Sequence, residues 1–221
     1  MLKADLHIHS QHSLDCNMPL EKIIERCQEV GVNCIALCDH GTAEGALQLR
    51  EIAPFKVIVA EEVLTPHGEI MGLFLEETIP SGLSVPEVIS RIRAQGGLVC
   101  IPHPFDRLRY SALDSNIVEE LAEQIDVIEV FNARSLLANL SNKAQLLAEK
   151  YGIRQSAGSD AHTAGEIGNA YIEMPEFKSR DDFLPALAKG KVVGHRTNPM
   201  IHFASVWSRL KSNLKRDNDD V

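Results

Sequence analysis

Residue types that bind divalent cations recur along this chain at the ends of apolar segments. The first group is Asp5-Leu6-His7-Ile8-His9, followed by His12, Ser13 and Asp15. Side chains alternate along a strand, so His7 and His9 share a face and form a two-imidazole grip. Asp39-His40 follows the apolar run Cys34 to Cys38, and Glu61-Glu62 follows Lys56 to Ala60, with His67 and Glu69 close behind. His103 lies between two prolines after Leu98 to Ile101, and Gly158-Ser159-Asp160-Ala161-His162 follows Ile153 to Ala157. Taken singly, Asp39 could cap a helix and Glu61-Glu62 could be solvated. Imidazoles and carboxylates closing strand after strand point instead to a centre for divalent cations, and to hydrolysis as its chemistry.

Alternating elements must position those groups. Strands are expected at Leu2–Ile8, Cys34–Cys38, Lys56–Glu62, Glu69–Leu75, Leu98–Ile101, Val127–Phe131, Ile153–Ala157, Tyr171–Met174 and Lys191–Gly194. Helices lie between them. One carries Leu20, Ile23, Ile24, Cys27 and Val30 at helical spacing and stops at Gly31. Others are expected over Ala43–Ile52, Asn116–Ala122, Leu137–Tyr151 and Asp181–Ala188. A further one is announced by Ser84, Pro86 and Glu87, a capping box. Repeated strand–helix units predict an α/β fold with a largely parallel sheet. The expected form is a distorted seven-stranded (β/α) TIM-like barrel with the metal site at the C-terminal ends of its strands.

The sequence has 221 residues, 44% hydrophobic and 24% charged, consistent with one domain. A domain over residues 1–205 and a polar, partly disordered tail over 206–221 are expected. No apolar run reaches the roughly 18 residues of a membrane span, and no secretory pattern opens the chain, which is read as cytoplasmic. A net charge of −9 disfavours extended duplex nucleic acid as partner. The cysteines Cys16, Cys27, Cys34, Cys38 and Cys100 are odd in number and irregularly spaced. They are read as buried core thiols rather than disulfides or a zinc knuckle.

In combination these motifs resemble the PHP superfamily, named for polymerase and histidinol phosphatase domains. The DxHxH opening at Asp5, His7 and His9, the downstream Asp15, Asp39-His40, Glu62, His103 and Asp160-Ala161-His162 match that family's pattern. The likeness extends over about residues 1 to 200. The chain departs from the pattern at Glu69-Ile70-Met71-Gly72, where many members have a histidine; Glu69 is the preferred ligand there and His67 the alternative. The resemblance implies two or three divalent ions, zinc, manganese or iron. One would bind His7, His9, Glu62 and Asp160; a second Glu62, Glu69 and His103; a third Asp15, His40 and His162. His7, His9, Asp160 and His162 would form the catalytic core.

The activity implied is phosphoester hydrolysis by metal-activated water. Arg134 is the first candidate for holding phosphate, because guanidinium binds it bidentately. Arg107 and Arg109 are the next candidates, Arg196 and His202 weaker ones, and Ser13 either a phosphate contact or a residue that shapes the loop before Asp15. His12 is a candidate supporting residue, whereas His195 reads as surface or packing. The expected substrate is a small phosphomonoester: a nucleotide, a nucleoside 3′,5′-bisphosphate or a short oligonucleotide end. Two other readings stand beside this one. A C–N hydrolase of the amidohydrolase kind would want a bridging lysine, and no lysine closes a strand here. A non-catalytic metal-binding scaffold would be expected to have lost ligands.

Overall fold

The computed structural model describes residues 1–197 except 107, 110 and 138, and the backbone alone at 139. The tail expected over 206–221 lies outside the described residues. Nine strands form one curled sheet: β1 (Leu2–Ile8), β2 (Cys34–Leu37), β3 (Lys56–Thr65), β4 (Gly68–Leu73), β5 (Leu98–Ile101), β6 (Val127–Asn132), β7 (Arg154–Gly158), β8 (Ala170–Met174) and β9 (Lys191–Gly194). Among the described residues six α-helices accompany them: α1 (Leu20–Val30), α2 (Glu44–Ile52), α3 (Val85–Ala94), α4 (Ser115–Glu120), α5 (Asn139–Tyr151) and α6 (Arg180–Leu187).

The strand order is β7-β6-β5-β4-β3-β2-β1-β8-β9. The expected count of seven is therefore corrected to nine. β1 to β7 make the continuous curve, and β8 and β9 add antiparallel to the other edge of β1. The sheet is also less parallel than expected. β3 and β4 are joined by a turn of only Pro66 and His67, which forces an antiparallel hairpin, and β5 also runs antiparallel to β4. Backbone bonds just past the ends of β1 and β7 bring the curve nearly to closure: Asp160 N to His7 O at 2.8 Å and His9 N to Ala161 O at 3.0 Å.

Two apolar layers follow from the alternation of side chains. The outer layer packs Ile23 and Cys27 of α1, Leu49 of α2 and Ile92 of α3 against outward residues such as Ile35 and Val59. The inner layer gathers Leu6, Ala36, Ile58, Met71, Leu98 and Val127, with contributions from other strands, into a floor inside the curve. Phe183 of α6, fully buried, closes that floor and meets Phe74 and Phe177 edge-on at 5.1 and 5.2 Å. At its mouth the curve exchanges this apolar lining for imidazoles and carboxylates; the expected placement at C-terminal strand ends fails on β4, which runs antiparallel and carries Glu69 at its N-terminal end.

The outward face of β3 holds one carboxyl with little support. Glu61 is fully buried; its Oε2 accepts Ile79 N at 2.8 Å, and its Oε1 has no hydrogen-bond partner among the described residues. Burial pushes the group up to about 7 from an ordinary 4.5. The folded state thus prefers the protonated form. That preference stabilises the fold fully below about pH 4.5 and is lost as pH rises through 7. Glu61→Gln, which keeps an acceptor for Ile79 and carries no charge, is expected to remove this dependence. Urea unfolding between pH 4 and 8 should show the variant gaining on the parent by up to about 3 kcal/mol at the alkaline end. A pH-independent difference would contradict the assignment.

Candidate metal centre

β1 does not keep simple alternation. Its register with β2 slips between Asp5 and Ile8, three residues facing two. Leu6 lies in the inner floor, Ile8 packs outward, and His7 and His9 enter the mouth above the floor. Asp5, which plain alternation would place beside them, instead accepts Ser159 N at 2.8 Å and Gly168 N at 3.0 Å. It braces the loop after β7. The bulge thus separates the structural carboxylate of the opening motif from its two imidazoles.

Glu62 sits at the centre of the mouth. Its Oε1 lies 3.3 Å from His7 Nε2 and 3.2 Å from His103 Nε2; its Oε2 lies 3.3 Å from both His9 Nε2 and His40 Nδ1. A backbone bridge between His40 and Glu62 continues the β2–β3 pairing and sets the two side by side. Glu69, inward on β4, reaches His40 Nδ1 at 3.0 Å and His103 Nε2 at 3.7 Å. Asp160 Oδ1 is 3.6 Å from His7 Nε2 and 3.4 Å from His9 Nε2. Asp15 Oδ2 stands 3.3 Å from His162 Nε2 and 3.6 Å from His40 Nε2. Asp15, His40, Glu69, His103 and His162 thus join His7, His9, Glu62 and Asp160 in one constellation. His103 and Asp160 have positive φ, 30° and 54°, a strained backbone of the kind that clusters at functional sites.

A ring of partners fixes which nitrogen of His7 and of His9 faces inward. Ser13 donates to Asp39 Oδ1 at 3.0 Å and accepts from His40 N at 3.0 Å, so His9 Nδ1, 3.1 Å away, donates to its oxygen. The lone pair of His9 Nε2 then points into the mouth. Glu129 Oε1 does the same for His7 Nδ1 at 3.1 Å, while Glu129 Oε2 accepts His103 N at 2.7 Å and Asn132 Nδ2 at 2.9 Å. Sequence reasoning gave Glu129 no role. Its one signal was a carboxylate at an inward position of the apolar strand Val127–Asn132. Asp39, part of the Asp39-His40 motif, caps no helix: it accepts Ser10 N and Ser10 Oγ at 2.6 and 2.7 Å and holds the loop that carries His9 and Ser13.

The residues fit cations. Glu62 Oε2, Glu69 Oε2 and Asp15 Oδ1 are buried carboxylate oxygens without hydrogen-bond partners among the described residues. Burial and the imidazoles of His162 and His40 push His9 down to about 3, leaving it neutral. Burial works against charge on His40, but the Glu69 hydrogen bond and the charges of Glu62, Glu69 and Asp15 raise it to about 10. In Glu62 the burial penalty is overcome by His7, His103 and His40, which hold it well below the usual range. Ionised carboxylates held together by borrowed protons are what a divalent cation would replace.

The substrate candidates divide. Arg134 lies at the rim, with Nη1 2.6 Å from His162 Nδ1 and Nε 3.3 Å from Glu166 Oε1. Ser13 is buried and its hydroxyl is committed to Asp39, His9 and His40, which makes it a positioning group rather than a substrate contact. Arg107 and His202 lie outside the described residues. Arg109 is placed closer to the centre than expected, its guanidinium on Asp160 Oδ2 at 2.5 Å and Asn132 Oδ1 at 3.3 Å. It also lines a cavity of about 630 Å³ with Phe105, Asp106 and Leu113. His67, the alternative to Glu69, sits in the exposed hairpin turn and meets Asp114 at 3.4 Å. His12 is half-buried beside Ser10, His195 is exposed, and Arg196 reaches Ser135 O.

Three comparisons bear on these observations. A family model described as PHP-associated matches residues 139–192. The chain is 38% identical over 190 residues to the uncharacterized protein MJ0417 of Methanocaldococcus jannaschii, covering 83% of this chain and 76% of that one. In structure it is similar to a two-domain protein of Bacteroides vulgatus described as containing a predicted PHP-like metal-dependent phosphoesterase. The TM-score is 0.70 at 16% identity, over 88% of this chain and 65% of that one, less than two thirds of its length. It is also similar to an amidohydrolase of Chromobacterium violaceum solved with bound sulfate and no metal, with TM-score 0.60 and 18% identity over 75% and 90% of the two chains. At such identities the likeness to solved structures speaks for the fold. No described helix is long and apolar enough to cross a membrane.

Proposed function

Since the chain belongs to the PHP family, we propose that it is a metal-dependent phosphoesterase hydrolysing a small phosphomonoester. The observation that carries this reading is the convergence of His7, His9, His40 and His103 on Glu62, with Asp15, Glu69, Asp160 and His162 around it. His7, His9, Glu62 and Asp160 would hold one cation, Glu62, Glu69 and His103 a second, and Asp15, His40 and His162 a third. The mixed imidazole and carboxylate set suits zinc, manganese or iron. Bound cations would supply Lewis acidity toward phosphoryl oxygens and a water acidic enough to react at neutral pH.

The chain's own groups do the rest. Glu129 and Ser13 keep the Nε2 atoms of His7 and His9 facing the mouth. Arg134, held beside His162 by Glu166, and Arg109, held on Asp160, would supply positive charge to the non-bridging oxygens. The cavity beside Arg109 is in the size range of small-molecule sites and would take the leaving group, a nucleoside included.

Phosphate release from a phosphomonoester panel after reconstitution with Mn²⁺ or Zn²⁺ tests the proposal, with ammonia release from amides measured in parallel. Phosphate release is expected, and Arg134→Lys should raise KM by about tenfold with a smaller effect on kcat, since one cationic fork is lost. Ammonia release without phosphate release would favour the amidohydrolase reading. Metal uptake without turnover of either panel would favour a binding scaffold.

A further inference from the structure

We propose that the Cys38 thiol is a further ligand of this centre, binding the ion held by His7 and His9, so that the first cation sits in a site with one sulfur donor. The inference rests on the metal-centre reading and assigns it a donor outside the set discussed so far.

Period-two alternation carries it. Cys34, Ala36 and Cys38 all point into the inner layer, and His40 is the next residue on that face. Cys38 is therefore the last inward side chain before the polar mouth, at the level where the β1 bulge admits His7. Its thiol and one ring nitrogen each of His7 and His9 lie within 4.8 Å of one another, all three residues fully buried. Bonds from one cation to sulfur and nitrogen run to roughly 2.3 and 2.0–2.1 Å, so one shared ion would draw the three donors somewhat closer together.

A second observation points to the same spot. Glu62 Oε2, 3.3 Å from His9 Nε2, is a buried carboxylate oxygen without a hydrogen-bond partner among the described residues. Nε2 of His7 and Nε2 of His9 face each other at 3.1 Å, an approach that a shared cation would explain. No other cysteine is so placed. Among the described residues Cys16, Cys27, Cys34 and Cys100 fall in no such cluster, and Cys16 donates to His162 O at 3.3 Å.

The Cys38 thiol donates to Ile8 O at 3.4 Å. On coordination the S–H proton leaves to solvent, the sulfur lone pair forms the bond to the ion, and Ile8 O loses that donor. A thiolate ligand shifts preference from magnesium and manganese toward zinc, iron or cobalt, and it gives the centre an oxidisable donor.

Cobalt substitution tests this, because it reports ligand type without needing turnover. The metal-free protein is titrated with Co²⁺ and its absorption recorded, alongside Cys38→Ser and Cys38→Ala, each checked for native circular dichroism. The parent is expected to show visible cobalt ligand-field bands together with an intense near-ultraviolet thiolate-to-cobalt charge-transfer band. Both variants should keep ligand-field bands, lose the charge-transfer band, and bind zinc at least about tenfold more weakly. Ligand-field bands without charge transfer in the parent would overturn the Cys38 assignment and leave the centre standing. So would an unchanged charge-transfer band in either folded variant. Absence of both kinds of band in the parent would overturn the metal centre itself, and the Cys38 assignment with it.

Discussion

Glu62→Gln is expected to lower kcat/KM for phosphomonoester hydrolysis by on the order of 10³-fold or more, a loss of about 4 kcal/mol in transition-state stabilisation. The substitution conserves volume and leaves one acceptor in place, so gross unfolding is not expected to be the cause. It removes the single carboxylate whose two oxygens contact His7, His9, His40 and His103 together. An amide presents a nitrogen that repels cations where the second oxygen stood, so it cannot bridge two ions as a carboxylate can. The metal content of the purified variant should fall along with activity. Conversely, Glu69→Gln alters a group whose ion-pair partners among the described residues are His40 and His103, and should cost less. Activity assays paired with elemental analysis separate the two. If Glu62→Gln retained full metal content and activity within about tenfold, Glu62 would not be the bridging group.

Composition alone does not choose between Glu61 and Glu62; the resemblance of the motifs does, and the fold supplies the physical reason. Glu61 and Glu62 are chemically equal neighbours, and only the facing of β3 separates them. Ile58 and Ala60 belong to the inner layer, so Glu62 follows them inward, while Glu61 is carried into the outer apolar layer. Local pattern is a sufficient guide to facing where alternation is regular, as on β2, β3 and β4, whose inward faces lead to His40, Glu62 and Glu69. It fails where register depends on a neighbouring strand. The bulge that parts Asp5 from His7 is a property of the β1–β2 pair. A similar slip of β6 against β7 lies between Glu129 and Phe131, beside the carboxylate that sequence reasoning passed over. The count of strands was hidden for the same reason. All nine segments were visible, but which of them extend β1 rather than continue the curve is decided by pairing across long stretches of chain. Arg109 was ranked behind Arg134 because nothing in its local sequence says that its loop folds back over Asp160.

Gly158→Ala is expected to be among the most damaging single-methyl additions available to this chain, destabilising it by roughly 3 kcal/mol or more. Gly158 ends β7 where that strand approaches β1 to close the curve. A Cβ built there would stand 2.2 Å from His7 Cβ, 2.7 Å from His7 N and 2.9 Å from His7 Cα. Backbone atoms of β1 cannot rotate away, so relief requires the two strands to separate. That movement would strain the bond from Asp160 N to His7 O and shift both His7 and Asp160, two members of the constellation. The expected signature is therefore double: a lower urea midpoint with unchanged slope, and weaker metal binding even in the folded fraction. Gly165→Ala is the matched control, since no atom lies within 4 Å of its added methyl, and it should stay within about 0.5 kcal/mol of the parent. Equal stability of the two variants would mean that β1 and β7 do not close as described. The mouth that gathers the imidazoles and carboxylates would then lack the contact that holds His7 and Asp160 together.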